Sequence, residues 1–218
     1  MAEATIYTME SANLICGDAG TGSTNKSSPG ISTHLVLQEL KLPGLEENYV
    51  DHAPGGAPIA IEIPTHMNKL EATFNLAGWD PKLMAYIGQE DPFKQKFTAY
   101  GLIRNRRTAK ALQAVAVMEG RLGRVNPTAF SKGNLMSHEY AIKGITHYSL
   151  KMSLNANGQL DEIYLWDFFR SVRRIGGKDL NKEMIRLLRI PGNAVDTTGS
   201  AVDNGGGQPY NPSEMIGS

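Results

Sequence analysis

The sequence predicts a mainly β protein, an antiparallel sandwich or barrel carrying two short helices. Three observations lead there. Residues 69–77 alternate: Leu70, Ala72, Phe74 and Leu76 fall on one side, Lys69, Glu71, Thr73 and Asn75 on the other. Strand side chains point to opposite faces with period two, so one face of this strand is dry and one wet. Residues 138–153 repeat the pattern, with Tyr140, Ile142, Tyr148, Leu150 and Met152 opposed to Lys143, His147, Ser149 and Lys151. Asn157-Gly158 is a hairpin signal, because both central residues of a type I′ turn need positive φ. Strands that keep a wet face over most of their length suit a sandwich or barrel.

From the N-terminus, residues 1–16 read as a short strand or arm and Gly17–Gly30 as a polar loop. His34–Leu42 reads as a strand with Val36, Leu40 and Leu42 on one face. Pro43–Pro58, containing HAPGGAP, reads as a long loop, and loops of that length inside a domain are usually functional or bound to something. Ile59, Ile61 and Ile63 open the next strand, where Pro64 removes a ladder donor and predicts a bend or an edge. After the 69–77 strand, Asp80 sits at an N-cap position with Pro81 at N1, and Gly88 supplies the left-handed residue that ends a helix over about 80–88. Further strands are expected at 95–104, 110–123, 138–153 and 161–174. Asp179 is expected to cap a last helix, about 179–190, with an apolar stripe of Leu180, Met184, Leu187 and Leu188. Arg186 and Arg189 lie at its negative end, and Pro191-Gly192 stops it. Residues 191–218 are rich in glycine and polar residues and cannot form a core alone. The division expected is one domain, 1–190, with loops at 17–30 and 43–58, and an extended arm, 191–218.

The 218 residues suit one domain with arms. Lys+Arg and Asp+Glu are both 22. That balance argues against a free-standing nucleic-acid binder, whose affinity comes from a basic excess. It also gives little colloidal protection, which fits a subunit that assembles. Cys16 is the one cysteine, so no internal disulfide forms and the chain suits a reducing compartment. No run of 18 apolar residues occurs, and MAEATIYTME lacks a basic n-region, so neither a membrane anchor nor a secretory signal is expected.

The motifs of catalysis are missing. Gly17–Thr24 approaches a P-loop, but Ser23 stands where the phosphate-binding lysine belongs. His34, His52, His66, His138 and His147 make no close metal spacing, and His66 and His147 read as surface or interface residues. No GxSxG occurs. Cys16 has no sequence-local activating partner and reads as a small packing residue. Arg104, Arg106, Arg107 and Lys110, and then Arg170, Arg173 and Arg174, form basic clusters. The first has no interleaved aromatic platform for nucleic acid and reads as turn charge or protein contact. Trp166, Phe168 and Phe169, before the second, read as core. No enzyme, metal or cofactor is expected.

Four blocks carry a family resemblance: LVLQELKLPGLEENYVDHAPGGAPIAIEIP (35–64), KLEATFNLAGWDPKLMAYIG (69–88), EYAIKGITHYSLKMSLNANGQLDEIYLWDFFRSVRRIGGKDL (139–180) and the helix Asp179–Ile190. In that order they resemble the major tail tube protein of contractile-tailed phages, a family shared with the inner tubes of R-type bacteriocins. The loop at 17–30 is longer than the family's first hairpin, and the tail after Pro191 is an extension. The resemblance implies hexameric rings whose sheets join into one lumen barrel. The rings would stack into a tube, with a tail sheath outside, a baseplate and tail terminator at its ends, and DNA or tape measure protein in the lumen without sequence-specific binding. It implies a virion component, assembled in the host cytoplasm, that pierces the host envelope. Two alternatives stay open: the inner tube of a bacteriocin or secretion-type contractile particle, and, from another class, a small β-barrel module binding a ligand or oligonucleotide.

Site residues follow from both readings. Lys69, Glu71, Thr73 and Asn75 are expected to face the lumen, and Lys96, Thr98 and Arg104 a wet face of the same wall, neutral or acidic overall. Glu46, Glu47, Tyr49, Asp51, His52, Pro54, Gly55 and Gly56 are expected to form a ring-stacking loop. Phe74, Trp79, Leu83, Met84 and Ile87 are expected to share one buried cluster. Tyr210 is expected to anchor the C-terminal arm on a neighbouring subunit.

Overall fold

The alternation at 69–77 becomes a strand over its later part, Ala72–Ala77, in a computed structural model that describes residues 6–17, 30–53, 55–56, 59–88, 94–128, 132–133, 136–153 and 159–190. The strands, in order, are β1 (Tyr7–Cys16), β2 (Ile31–Ser32), β3 (Leu37–Lys41), β4 (Glu47–His52), β5 (Ile61–Met67) and β6 (Ala72–Ala77). Helix α1 (Pro81–Met84) precedes β7 (Gln95–Asn105), β8 (Ala111–Pro127), β9 (Ser137–Met152), β10 (Asp161–Asp167), β11 (Val172–Ile175) and β12 (Lys178–Asp179). Helix α2 (Lys182–Leu187) follows. Ten strands form one antiparallel sheet in the order β12-β11-β10-β9-β8-β7-β1-β2, with β6 and β3 added on β9; β4 and β5 form a separate pair.

The length of β8 and β9 makes this sheet two layers. Residues 137–142 of β9 pair with β6, and residues 147–152 pair with β10. Between these halves the β8–β9 ladder slips at Glu119/Arg121 and at Leu122/Arg124. Bulges bend a strand and raise its twist, so the ribbon folds the sheet over itself. Gly120 is required at the bend, because a Cβ there would lie 2.9 Å from the Lys143 carbonyl oxygen.

Both halves turn the same side inward. Leu14 and Cys16 of β1, Phe97 and Ala99 of β7, and Ala116 and Met118 of β8 meet Ala72, Phe74 and Leu76 of β6 and Tyr140 and Ile142 of β9 in one buried cluster. Phe74 stacks on Tyr140 with ring centroids 5.0 Å apart. Burial in this apolar setting pushes the Cys16 thiol up to about 12, in keeping with a packing role.

Asp80 caps α1 as expected, its Oδ1 accepting from Lys82 N at 2.9 Å, and Gly88 has φ 71. The helix is shorter than the sequence suggests, and only Leu83 is fully buried: Trp79 and Ile87 are 50% and 37% exposed. Trp79 lies edge-on to buried His138 at 5.0 Å and leaves the expected cluster. Four further differences concern element boundaries. The expected loop 43–58 contains β4. The expected strand at His34–Leu42 starts only at Leu37, with Leu37, Leu40 and Leu42 facing the core and Val36 exposed. The expected strand 161–174 is a hairpin, turned where Asp167 Oδ1 accepts Arg170 N at 2.9 Å. Asp179 belongs to β12 and its Oδ1 accepts Asn181 N, while α2 starts at Lys182 and buries Ile185. The stripe Leu180, Met184, Leu187 and Leu188 is exposed, because this chain places no sheet over that side of α2 among the described residues. Asn157-Gly158 and nearly all of the 17–30 loop lie outside the described residues, as do 191–218.

Candidate functional site

The layer built from β3, β6, the first half of β9 and the second half of β8 has a polar outer face. Lys69 is exposed there, and Glu71, Thr73 and Asn75 are half-buried, opposite the buried Leu70, Ala72, Phe74 and Leu76. Arg124 and Lys143 on this face are matched by acids, while Lys41 and Lys69 stand exposed. Arg124 Nη2 lies 2.6 Å from Glu139 Oε1 and 3.9 Å from Glu71, and Lys143 Nζ lies 3.8 Å from Glu71. Asn75 Nδ2 donates to Glu39 Oε2 at 3.1 Å. Half-exposed pairs of this kind add little stability, about 0–1 kcal/mol each. What they fix is a near-neutral, hydrophilic surface.

Lys96, Thr98 and Arg104 do not join that face. They lie on β7, in the other layer, on the side turned away from the core. Because the two layers share one concave core, their outer faces look in opposite directions. The two sets therefore cannot line one channel. Thr98 is not wet either: it is 3% exposed, paired between Ile15 of β1 and Val117 of β8. Tyr100 and Leu102, further along the same face, are exposed. Arg104 is committed locally. Its Nε and Nη2 donate to Glu10 at 2.6 and 2.9 Å, and its Nη1 donates to the Ala109 carbonyl at 2.8 Å. The Arg104 hydrogen bond holds the Glu10 carboxyl below its ordinary value against an opposing desolvation.

The β4–β5 pair is a projecting hairpin. Glu47 pairs with Met67 and His52 with Ile61, and the ladder shifts between Asn48 and Tyr49, opposite Pro64, where the missing donor was expected to break it. Asn68 N donates to the Glu46 carbonyl and closes the base. Arg173 Nη2, 3.3 Å from Glu47 Oε1, ties the base to β11. Tyr49 OH donates to Glu47 Oε2, and this bond raises the phenol above its usual range. Beyond the base, both faces are open: Tyr49, Val50, Asp51 and His52 on one strand and Ile61 and Ile63 on the other are all exposed, as are Gly55 and Gly56. Pro54 and Tyr210 lie outside the described residues.

One surface was misread from sequence. Phe168 and Phe169, expected in the core, are 61% and 73% exposed at the β10–β11 turn. Their rings meet edge-on at 5.4 Å, and Lys94 Nζ sits 4.2 Å from the Phe169 ring centroid. Trp166, half-buried, packs against the core. Asp167 beside them also accepts from His147 Nδ1 at 3.1 Å. Burial pushes the Asp167 carboxyl up, but the bonds from His147 and the Arg170 backbone outweigh it and leave it lowered. The signal available in the sequence was Asp167 itself, an acceptor that seeds turns.

Among the described residues, no three His, Cys, Asp or Glu side chains are grouped to hold a metal ion, and no helix is long and apolar enough to cross a membrane.

A family model described as phage tail tube protein FII matches residues 28–188. No curated protein matches the chain. Among solved structures, the chain is similar to a chain of the sheath-tube complex of an extracellular contractile injection system, PVC, in its extended state, with 10% identity, a TM-score of 0.43, and coverage of 64% of this chain and 87% of that one. It is similar to a chain of the PVC sheath/tube terminator at 9% identity and a TM-score of 0.45, covering 69% and 99%. A chain of the anti-feeding prophage baseplate gives 9% identity and a TM-score of 0.44, covering 69% and 97%.

Proposed function

The chain belongs to the phage tail tube protein FII family, and from that premise we propose that this tail tube subunit forms hexameric rings that stack through the β4–β5 hairpin into the inner tube of a contractile tail. The observation that carries the stacking role is a hairpin with Tyr49, Val50, Ile61 and Ile63 exposed, and no covering surface supplied by its own chain among the described residues. A lone two-stranded hairpin is marginal in water. Burial of those side chains against another copy supplies what the fold withholds. The role is structural, and no catalytic step is assigned to it.

The lumen wall is the outer face around β6, with Lys69, Glu71, Thr73 and Asn75. Arg124 and Lys143 there are paired with Glu71 and Glu139, so passing DNA or tape measure protein would meet chiefly the lone lysines Lys41 and Lys69 as cations, too few phosphate contacts to hold the cargo back. The β7 face, with Tyr100 and Leu102 exposed and Thr98 covered, is assigned to contacts between proteins. The sheath lies outside the tube, and the baseplate and tail terminator cap it. Assembly takes place in the host cytoplasm and the product is carried in the virion. The arm 191–218 reaches a neighbouring subunit, with Tyr210 as its anchor. Ordering such a glycine-rich chain costs about 1–2 kcal/mol per residue and needs a partner surface.

Removing Glu47–Gly56 tests the stacking role. The shortened chain is expected to fold, by circular dichroism, and to form no tubes by electron microscopy. Tubes of ordinary length from that chain would contradict the reading.

A further inference from the structure

Helix α2 gives one residue to its own subunit and leaves the rest of its apolar surface outside. Ile185 is buried, whereas Met184, Leu187 and Leu188 are exposed, both leucines at 66%. Residues three and four apart share a helix face, so these three make one stripe. Leu180, also exposed and four residues before Met184, lengthens it. Lys182 and Arg186 fall on the opposite flank of the helix and take no part.

The end of α2 turns the chain away from that stripe. Ile190 N donates to the Ile185 carbonyl at 3.2 Å and Arg189 N to the Arg186 carbonyl at 3.3 Å. Arg189, between them, has φ 50. This is the left-handed helix stop in which the second residue past the cap packs on the third helical residue from the end. Ile190 is thus drawn to Ile185, on the buried side of α2.

The chain that follows keeps most of its apolar residues for its far part. Val195 and Val202 are isolated, whereas Pro209, Tyr210, Pro212, Met215 and Ile216 come together. A proline on each side of Tyr210 fixes φ there and biases Gln208 and Asn211 to extended backbone. Less freedom is then lost when the tyrosine docks. Residues 191–209 separate Tyr210 from α2. A chain of that length and composition spans about 25 Å on average and about 65 Å when taut. A return to the stripe of its own helix needs only a few residues. A subunit of this size is roughly 40 Å across, so the stripe of an adjacent copy is within reach.

We infer that the Tyr210 stretch of one subunit docks on the Leu180, Met184, Leu187 and Leu188 stripe of α2 in a neighbouring subunit. This rests on the reach of the arm proposed above and names the surface that receives it. The tyrosine ring covers the two leucines and the Met184 thioether, a favourable partner for an aromatic edge.

Cross-linking in the full chain tests it. The native cysteine, Cys16, is buried, so Glu183→Cys, at an exposed position beside the stripe, and Asn211→Cys, beside Tyr210, supply the reactive thiols. Oxidation of assembled tubes with diamide is expected to link subunits into dimers and higher multimers on a denaturing gel. A link within single chains would mean that the arm returns to its own helix, and no link would mean another receiving surface; either overturns the inference. Assembly gives a second reading. Leu187→Ser with Leu188→Ser is expected to raise the subunit concentration needed for tubes about tenfold without moving the melting of the subunit. Truncation after Gly192 is expected to do the same, and the two changes together should add little further. If the serine changes leave assembly as it was, or weaken the truncated chain as much as the full one, the stripe does not take the arm. If the truncated chain assembles like the full chain, the arm's reach to a neighbour falls first.

Discussion

Strands β5 and β6 are neighbours in sequence and opposites in environment. On β6, every second residue is buried: Ala72, Phe74 and Leu76 are at most 1% exposed. On β5, six residues in succession are exposed, Ile61 and Ile63 among them. Both strands are hydrogen-bonded and both carry apolar side chains. The difference is what lies opposite. For β6 it is the other layer of the same chain, whereas for β5 it is solvent. A strand completed by its own chain contributes to subunit stability, and one left open leaves its apolar side chains for the ring contact proposed above.

The comparison can be broken most forcefully at Phe74. Phe74→Ala opens a hole beneath Tyr140 and should cost the isolated subunit about 3–5 kcal/mol, read as a large fall in melting temperature. Unchanged melting would remove the core role of β6. The β10–β11 turn supplies an intermediate case. Asp167→Asn weakens the bonds to His147 and to the Arg170 backbone, with an expected loss on the order of 1 kcal/mol at neutral pH. The Asp167 carboxyl is lowered in the folded chain. Its contribution is therefore present above the unfolded value near 4 and lost as pH falls through the folded value. The melting curves of the two proteins should converge in acid; a constant gap would deny the ionic part. The smallest effect is expected at the hairpin. Ile63→Ala should shift the melting of the isolated subunit by no more than about 0.5 kcal/mol while weakening tube formation. A core-sized loss of stability in the monomer would mean that the hairpin is packed by its own chain.

The same contrast explains what the sequence revealed and what it hid. The β6 strand was legible because half of it is buried, and burial writes a period-two pattern. Strand β4, Glu47–His52, has no buried face within the subunit, so Glu-Asn-Tyr-Val-Asp-His carries no alternation, and the proline and glycine around it made the stretch read as loop. The β10–β11 hairpin was merged into one strand because its turn uses Ser171 at φ 52, not a glycine. The side chains of Trp79 and Ile87 were placed inside, and the stripe of α2 was read without its exposure, because apolar spacing tells which residues share a face but not whether this chain covers it. Lys96, Thr98 and Arg104 were set beside Lys69 and Glu71 because alternation cannot tell which layer a wet face belongs to. That is decided by the bend in β8 and β9, at Gly120 and the two register shifts.

Hydrogen exchange of the backbone amides, compared between isolated subunits and assembled tubes, tests the central claim most directly. Amides of β6 should be protected in both states. Amides of Glu47–His52 and Ile61–Met67 should exchange quickly in the subunit and become protected in the tube. Equal protection of the hairpin in both states, or its continued rapid exchange in the tube, would contradict the account.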